Sequence, residues 1–505
     1  MSPATSQACG GFVGGETEIR AFMSFTSSIQ RFEARFDRHR QDSLMRELPS
    51  PIDRGHLARF HATFRGDVIL AGDSAYDDAR RVWNGMIDRR PSVVVRPLDS
   101  SDVVAALRFG RDEALLIAVR GGGHSMPGHG TCDTGMVIDL SRMRGATVDP
   151  AQRTARVNGG ALLGELDVAA QAHGLVCPVG VVSHTGVGGL TLGGGMGRLQ
   201  RKLGFTIDSL RAVELVTAGG DVVRADENQD LFWAVRGAGA NFGVVTAFEF
   251  ALHPFDGVIT VASVVHPATR IHDAWALFRE LGSNGPDHVM VTFNMTLGTA
   301  GRVPAELVGK PVVTIAAYHS GDQDGAESEL RDFMNAGQPV ASSIKALSYL
   351  DLQRSADEAG AWGHRVYTKG GFTDDLPAEA LEAMVEHFGT TTSSDTFGLW
   401  AQGGAIARVP EDATAFTGRE AGFQMSSEST WDDPSADQTR VNWAREAYAI
   451  VEPHSRTGRY VNDVADSGPD LGRWVYGDAK YDRLVGVKRT WDPDNVFCLN
   501  QNIKP

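Results

Sequence analysis

Hydrophobic and polar positions between residues 60 and 254 alternate in short units that are separated by glycine turns. The run 92–97 is apolar enough for a buried strand, and 102–113 repeats apolar positions at helical spacing behind a serine-aspartate start. Units of the same kind predict further strands at 115–120, 136–140, 154–157, 210–216 and 244–252 and a helix at 162–173. This region is therefore predicted to mix strands and helices.

Beyond Pro254 the glycine density falls and the predicted elements become longer. Strand patterns occur at 259–266, 288–297, 311–319 and 397–409, and helical patterns at 269–282, 326–335, 377–388 and 438–451. Strands that pair across intervening helices predict an antiparallel sheet covered by helices on one face. The fold class is accordingly α+β.

Changes in pattern divide the chain into an N-terminal extension (1–55), two larger regions (56–254 and 255–450) and a C-terminal region (451–505). The extension contains a possible helix at 22–48, and the C-terminal region a helix at 474–491.

Charge and cysteine usage exclude several classes of function. The 505 residues carry 48 basic and 63 acidic side chains, a formal charge of −15, which disfavours nucleic acid or an anionic membrane as partner. No apolar run approaches the roughly 18 residues of a membrane span, and no signal peptide is recognisable. Four widely spaced cysteines suit neither a disulfide framework nor structural zinc. We therefore expect a soluble, cytoplasmic protein.

Glycine changes this picture, because 26 of the 58 glycines fall between positions 110 and 250. Gly121–Gly123 directly follow a predicted strand and are able to form a main-chain nest for an anion, although a flexible turn explains them too. Residues 186–197 contain seven glycines, too many for a regular helix, and suit contact with a flat ligand or an interdomain loop. A third cluster, 236–243, is weaker alone. Together the clusters predict a cradle for a planar, phosphate-bearing cofactor.

Other chemistries find little support in the sequence. His124 with His129, and His173 with His184, lie in glycine-rich or loop segments without a carboxylate cluster, which is a poor metal signal. No Gly-x-Ser-x-Gly elbow occurs. We therefore predict neither a bound metal nor a hydrolase.

Four strings make the cofactor prediction specific: RGGGHSMPGHG at 120–130, VVSHTGVGGLTLGGGMGRLQRKLG at 181–204, FWAVRGAGANFGVVTAFEF at 232–250 and DPDNVFCLNQNI at 492–503. From about Phe60 onward the chain resembles the FAD-linked oxidase family of vanillyl-alcohol-oxidase and berberine-bridge-enzyme-like flavoproteins, nearest to bacterial hydroxynicotine-oxidase-like and enterocin-pathway members. The resemblance implies a two-part FAD-binding domain of the PCMH type (56–254 with a return at 451–505) around a substrate domain (255–450).

The resemblance also implies the cofactor contacts. His124 would be bonded through a ring nitrogen to the flavin 8α-carbon. A second, cysteinyl bond is not expected, because its position is held by Val182, and Cys177 lies sixteen residues before Gly193. We expect Cys177 to be a buried thiol. The implied FAD-binding residues are Arg120, Gly121, Gly122, Gly123, His124, Ser125, Val182, His184, Thr185, Gly186, Gly188, Gly189, Asn241, Gly243, Val245, Asn500 and Asn502.

The implied catalytic residues are Tyr460 and Asn462 of a Tyr-x-Asn motif, Thr185 and Tyr367. Thr185 is equally explained as a loop hydroxyl bonded to backbone. Gly398 stands where an enterocin-pathway relative has a glutamate, so the usual carboxylate base is missing. The alternatives on neighbouring strands, each also readable as an ordinary sheet residue, are Trp400, Gln402, Tyr367, Lys369, Tyr318 and His319.

The resulting prediction is a FAD-dependent oxidase. It would remove hydride from a small aromatic or polyketide-like molecule and use dioxygen as acceptor, as a monomer or homodimer. The alternatives are a catabolic amine or alcohol oxidase or dehydrogenase, and a FAD-binding relative without redox turnover.

Overall fold

The computed structural model describes residues 52–391, 394–466 and 471–505. Residues Arg54–Pro505 form one compact unit, and the possible helix at 22–48 lies outside the described residues. The strands are β1 Asp67–Leu70, β2 Val93–Arg96, β3 Ile117–Arg120, β4 Met136–Asp139, β5 Ala146–Asp149, β6 Thr154–Asn158, β7 Leu175–Val176, β8 Leu210–Val216, β9 Val222–Arg224, β10 Val244–Ala251, β11 His253–Pro254, β12 Val258–Pro267, β13 Val289–Leu297, β14 Pro311–His319, β15 Ala341–Ser348, β16 Arg365–Thr373, β17 Thr396–Ala401 and β18 Phe423–Trp431.

The α-helices lie between these strands and after the last one. They are α1 Arg54–Thr63, α2 Tyr76–Arg80, α3 Ser100–Asp112, α4 Leu163–Gln171, α5 Val187–Leu192, α6 Gln200–Leu203, α7 Gln229–Ala238, α8 Ile271–Asn284, α9 Gln323–Glu329, α10 Arg331–Asn335, α11 Tyr349–Arg354, α12 Ala378–Phe388, α13 Ala405–Arg408, α14 Asp437–Val451, α15 Leu471–Tyr476 and α16 Asp478–Trp491.

Three sheets are built from the first half of the described chain, the smallest of which pairs β7 with β11. β1, β2, β4 and β3 form a four-stranded sheet in that order, with parallel pairing between β2, β4 and β3. β5, β6, β10, β8 and β9 form an antiparallel five-stranded sheet. The valines of β2 are fully buried, as an apolar run in a parallel sheet requires.

The second half forms one antiparallel sheet of seven strands, in the order β15-β12-β14-β13-β17-β18-β16. Its buried face packs under α8, α12 and α14 around a core that includes Phe278, Phe293, Phe388 and Phe423. The predicted antiparallel sheet with helices on one face is confirmed, and the fold is α+β. The division of the chain at 254 and 450 stays a prediction.

Several local predictions were wrong for identifiable reasons. The strand pattern at 397–409 ends at Ala401, because Gly403 and Gly404 both have positive φ, +82° and +54°. The helix predicted at 474–491 is two helices, interrupted at Gly477, where φ is +73°. The single helix at 326–335 is also two, α9 and α10. The glycine-rich stretch does contain a helix, the six-residue α5, capped on both sides by glycine.

Among the described residues, no helix combines the length and the apolar composition that crossing a bilayer would demand.

Candidate functional site

A cavity of about 620 Å³ lies between the glycine clusters, the uncovered face of the seven-stranded sheet and the C-terminal segment. Most of the residues that the sequence assigned to a site line it. They are Arg120, Gly121, Gly122, Gly123, His124, Ser125, Val182, Thr185, Gly186, Gly188, Gly189, Asn241, Gly243, Val245, Tyr460, Asn462 and Asn500. The three glycine clusters and the C-terminal segment, which are far apart in sequence, thus meet around one space.

The first two glycine clusters touch through their main chains. A Cβ on Gly122 would lie 2.2 Å from the backbone nitrogen of Gly186, a distance that no side chain tolerates. The contact places the strand end after β3 directly against the N-terminus of α5. Glycine is therefore required here by close backbone approach rather than by flexibility.

His124 stands at this junction. Its Nε2 is 2.8 Å from His184 Nδ1, and its ring stacks on Trp83 with centroids 4.9 Å apart. Burial, and to a smaller extent His184, lower the pKa of His124 to about 3. The imidazole is therefore neutral at pH 7 and keeps a lone pair on one ring nitrogen. His184 itself does not line the cavity but positions His124.

Arg120 and Ser125 shape the loop from either side. Arg120 is buried, and its guanidinium donates to Asp139 Oδ2 at 2.7 Å and to the carbonyl of Arg81 at 2.9 Å. Ser125 Oγ accepts from the backbone N–H of His129 at 3.1 Å. The charge of Arg120 is thus used within the protein, and the loop presents mainly backbone to the cavity.

The C-terminal segment closes the cavity at the third glycine cluster. Ile503 N donates to Asn241 Oδ1 at 3.0 Å, and Asn500 Nδ2 donates to the carbonyl of Ala240 at 2.8 Å. Lys488, fully buried, donates from Nζ to the Asn241 carbonyl at 2.8 Å and pairs with Asp492 at 2.6 Å. Asn502, by contrast, does not line the cavity.

Tyr460 and Asn462 line the cavity beside the second glycine cluster. The phenol oxygen accepts from Met196 N at 3.2 Å and from Asn462 Nδ2 at 3.0 Å, and Asn462 also donates to the Leu190 carbonyl at 3.1 Å. Burial raises the pKa of Tyr460 well above its usual range. The hydroxyl is therefore protonated and fixed in place.

Tyr367, which the sequence assigned to catalysis, does not line the cavity. Its hydroxyl donates to Asp466 Oδ1 at 2.6 Å and accepts from Arg445 Nε at 2.8 Å. Of the alternatives on neighbouring strands, Trp400 lines the cavity, whereas Gln402, Lys369, Tyr318 and His319 do not. Cys177 is buried in the core, as expected, and burial raises its pKa.

Two acidic residues that line the cavity were not among the site residues predicted from the sequence. Glu428 projects from β18 with Gln424, Ser426 and Thr430, all at alternate positions on the cavity face. The carboxylate has no hydrogen-bond partner among the described residues, and burial raises its pKa to about 7. The alternating polar positions of FQMSSESTW were the available signal, but β18 was not predicted as a strand.

The second acid is Asp463, which directly follows the Tyr-x-Asn motif. Gln424 Nε2 donates to its Oδ2 at 2.7 Å, and burial together with Glu428 raises its pKa to about 7. Both carboxyls therefore titrate near neutrality on the sheet side of the cavity. Glu428 pairs in register with Thr396 of β17, two positions from Gly398, the position at which the sequence lacks a carboxylate.

Two family models and several known proteins are similar to this chain. Residues 91–226 match a family model described as a FAD binding domain, and 459–504 match one described as berberine and berberine like. An FAD-linked oxidoreductase of Dictyostelium discoideum is 32% identical over 88% of this chain and 96% of its own length. (R)-6-hydroxynicotine oxidase of Paenarthrobacter nicotinovorans is 31% identical over 88% and 97%.

A solved structure, 6-hydroxy-D-nicotine oxidase from Arthrobacter nicotinovorans, superposes with a TM-score of 0.78 at 29% identity. It covers 88% of this chain and 98% of its own.

Proposed function

This chain belongs to the FAD-linked oxidoreductases with a berberine-like C-terminal segment, and on that premise we propose that it is an oxidase that takes hydride from a small organic substrate and passes electrons to dioxygen. The observation that carries the proposal is the single cavity in which the glycine clusters, His124 and the carboxylates of the sheet meet.

The residues of this cavity fit FAD. Its volume of about 620 Å³ lies within the roughly 300–1,000 Å³ typical of cofactor and ligand sites. Gly189 faces open space, and the buried atoms His129 Nε2 and Asn500 Oδ1 on the wall have no hydrogen-bond partner among the described residues. A bound polar group is able to satisfy them. When bound, FAD supplies the hydride acceptor and the route to dioxygen.

We assign the covalent attachment of the flavin to His124 alone. The neutral, partly buried imidazole held by His184 retains the lone pair that such a bond needs. Val182 lines the cavity at the position where a cysteinyl bond would be made, and Cys177 lies in the core.

We assign the role of proton acceptor to Glu428. A substrate hydroxyl or amine must lose its proton as the neighbouring C–H bond gives up hydride, and a carboxylate with a pKa near the working pH is suited to this step. The protonated Tyr460 hydroxyl, fixed by Asn462 beside the second glycine cluster, orients the substrate. Thr185, 3.4 Å from His124 Nδ1, contributes to positioning at the loop.

The substrate class follows from the wall on the sheet side. Trp400 offers an aromatic surface, and Asn294, Gln424 and Ser426 offer neutral polar groups. These residues suit a neutral aromatic or polyketide-like molecule.

The three described cysteines are free, which supports the proposal of a cytoplasmic location.

The flavin bond is tested by denaturing the purified protein with acid. We expect the wild-type pellet to stay yellow, His124→Ala to release the colour, and His173→Ala, an exposed histidine of the same region, to behave as wild type. A colourless wild-type pellet with free FAD in the supernatant contradicts the bond.

Turnover is tested with a panel of alcohols, amines and phenolic ketones by following peroxide release. Dithionite-reduced protein should reoxidise rapidly in air and form peroxide. Slow reoxidation, with fast transfer to an artificial acceptor, contradicts dioxygen as the acceptor and indicates a dehydrogenase.

A further inference from the structure

Three potential metal ligands meet at one end of the seven-stranded sheet, and none of them lines the cavity. His288 directly precedes β13, His319 is the last residue of β14, and Glu329 is the last residue of α9. Sequence patterns had indicated no metal site, and His319 was predicted as one of several alternative residues on strands near the substrate. The fold instead brings it to a separate cluster.

The two imidazoles converge on one carboxylate. His288 Nε2 lies 2.9 Å from Glu329 Oε1 and 3.1 Å from Oε2, and His319 Nε2 lies 3.0 Å from Oε2. One ligand atom from each residue lies within 4.8 Å of both others. Gly321 lets the rings approach, since a Cβ there would lie 2.8 Å from His288 and 3.0 Å from His319.

Two histidines and one glutamate are among the donor sets that zinc uses in sites with three protein ligands. With metal–ligand bonds of about 2.0–2.1 Å, tetrahedral ligand atoms are separated by roughly 3.4 Å. The observed nitrogen–oxygen distances are a few tenths of an ångström shorter, so a small outward movement makes room for an ion. Magnesium and calcium, which prefer all-oxygen ligands, suit two imidazoles poorly.

The cluster is buried on one side and open to solvent on the other. The His319 side chain is 1% exposed, whereas His288 is 33% and Glu329 41% exposed. An ion is therefore able to enter from solvent and to keep a water molecule as fourth ligand, while the buried histidine fixes its depth.

We propose that His288, His319 and Glu329 bind one divalent transition-metal ion of the zinc type. The ion would join the start of β13, the end of β14 and the end of α9, and so stabilise this end of the sheet. The site acts independently of the flavin cavity and takes no part in the oxidation.

The test uses the holoenzyme, stripped of metal with a chelator and titrated with ZnCl₂ against a chromophoric zinc indicator. We expect one zinc per chain, and a loss of affinity of roughly 100-fold or more in His288→Ala and in Glu329→Gln. His272→Ala is the matched control, because His272 forms an exposed pair with Glu382 at 3.0 Å that lacks a second histidine, and it should bind as wild type.

Thermal unfolding provides a second measurement. Zinc at one hundred times its Kd should raise the Tm of the wild type by roughly 3 °C and leave the Tm of both variants unchanged. In the absence of zinc, the flavin spectra of the variants should equal that of the wild type, which shows that they are folded. The proposal is overturned if the wild type binds no zinc, or if both variants bind it as tightly as the wild type.

Discussion

The two walls of the cavity are built in different ways. The wall made by the glycine clusters and the C-terminal segment presents main chain, and its side chains, such as Arg120 and Lys488, are engaged within the protein. The wall made by the sheet presents the side chains of alternate residues on β17 and β18, including an unpartnered carboxylate. The first wall is suited to hold a cofactor of constant shape, and the second to determine what reacts with it.

The largest expected effect comes from a substitution in the wall made by the glycine clusters. Gly122→Ala places a Cβ against the backbone of Gly186, and because neither loop has a flexible side chain to move, we expect about 3 kcal/mol or more of destabilisation and loss of bound flavin. Flavin content per chain and Tm measure this. Gly486→Ala, in helix α16 with nothing within 4 Å, should keep its flavin and gain slightly in stability. Full flavin content in Gly122→Ala contradicts the close approach.

The next largest effect comes from a substitution in the wall made by the sheet, which leaves the glycine wall unchanged. Glu428→Gln should keep its flavin but slow flavin reduction by substrate by about 10²–10³-fold, the range of a lost general base. In the wild type the carboxylate is the active form, so the rate should rise with pH up to about 7 and then level off.

That rise should disappear in Glu428→Gln. Glu446→Gln, an exposed acid on α14, is the matched control and should show the wild-type profile. An unchanged rate and pH profile in Glu428→Gln would remove this residue from the mechanism.

A smaller effect distinguishes two tyrosines that the sequence treated alike. Tyr460→Phe removes a hydroxyl from the cavity wall and should slow flavin reduction by about tenfold, since the oriented hydrogen bond is lost. Tyr367→Phe should leave the rate within twofold. Its hydroxyl contacts Asp466 and Arg445, so it should lower the free energy of unfolding by about 1–2 kcal/mol. Equal kinetic effects of the two substitutions would contradict the placement of Tyr367 outside the cavity.

The smallest effect concerns stability. Burial raises the pKa of Glu428 to about 7, so between its ordinary value near 4 and pH 7 the folded state binds a proton that the unfolded state has lost. The free energy of unfolding should therefore fall as pH rises through this interval. Glu428→Gln should gain stability relative to the wild type by about 1–2 kcal/mol between pH 5 and pH 7. Chemical denaturation at the two pH values measures this, and parallel curves would contradict the raised pKa.

The difference between the walls also explains what the sequence could reveal. A wall that presents main chain requires glycine, so the clusters at 121–123 and 186–197 and the string around His124 were recognisable. All three residues of the first cluster and seven of the twelve residues of the second line the cavity. The antiparallel sheet was predicted because β12, β13 and β14 are long and apolar. The face of a sheet that helices cover is apolar, and its residues recur at regular spacing along the sequence.

The residues of the sheet wall were not predicted because the sequence of β18 is polar on both faces. Gln424, Ser426, Glu428 and Thr430 alternate with buried residues of which two, Ser427 and Ser429, are also polar, so the usual contrast is missing. Tyr367 was misplaced because strand membership fixes which face a side chain occupies, and one residue of register decides it. The convergence of His288, His319 and Glu329 depends on pairing between distant strands, which no local pattern encodes.

The buried Lys488 joins the third glycine cluster to the last turn of the chain, through Asn241 on one side and Asp492 and Phe497 on the other. The side chains of Lys488 and Asp492 are both fully buried, so the loss of either one would leave the other as an unpaired charge in the interior. The position of Asn241 at the cavity thus depends on an ion pair that does not line the cavity, so inherited or engineered changes at Lys488 or Asp492 should loosen the site from a distance.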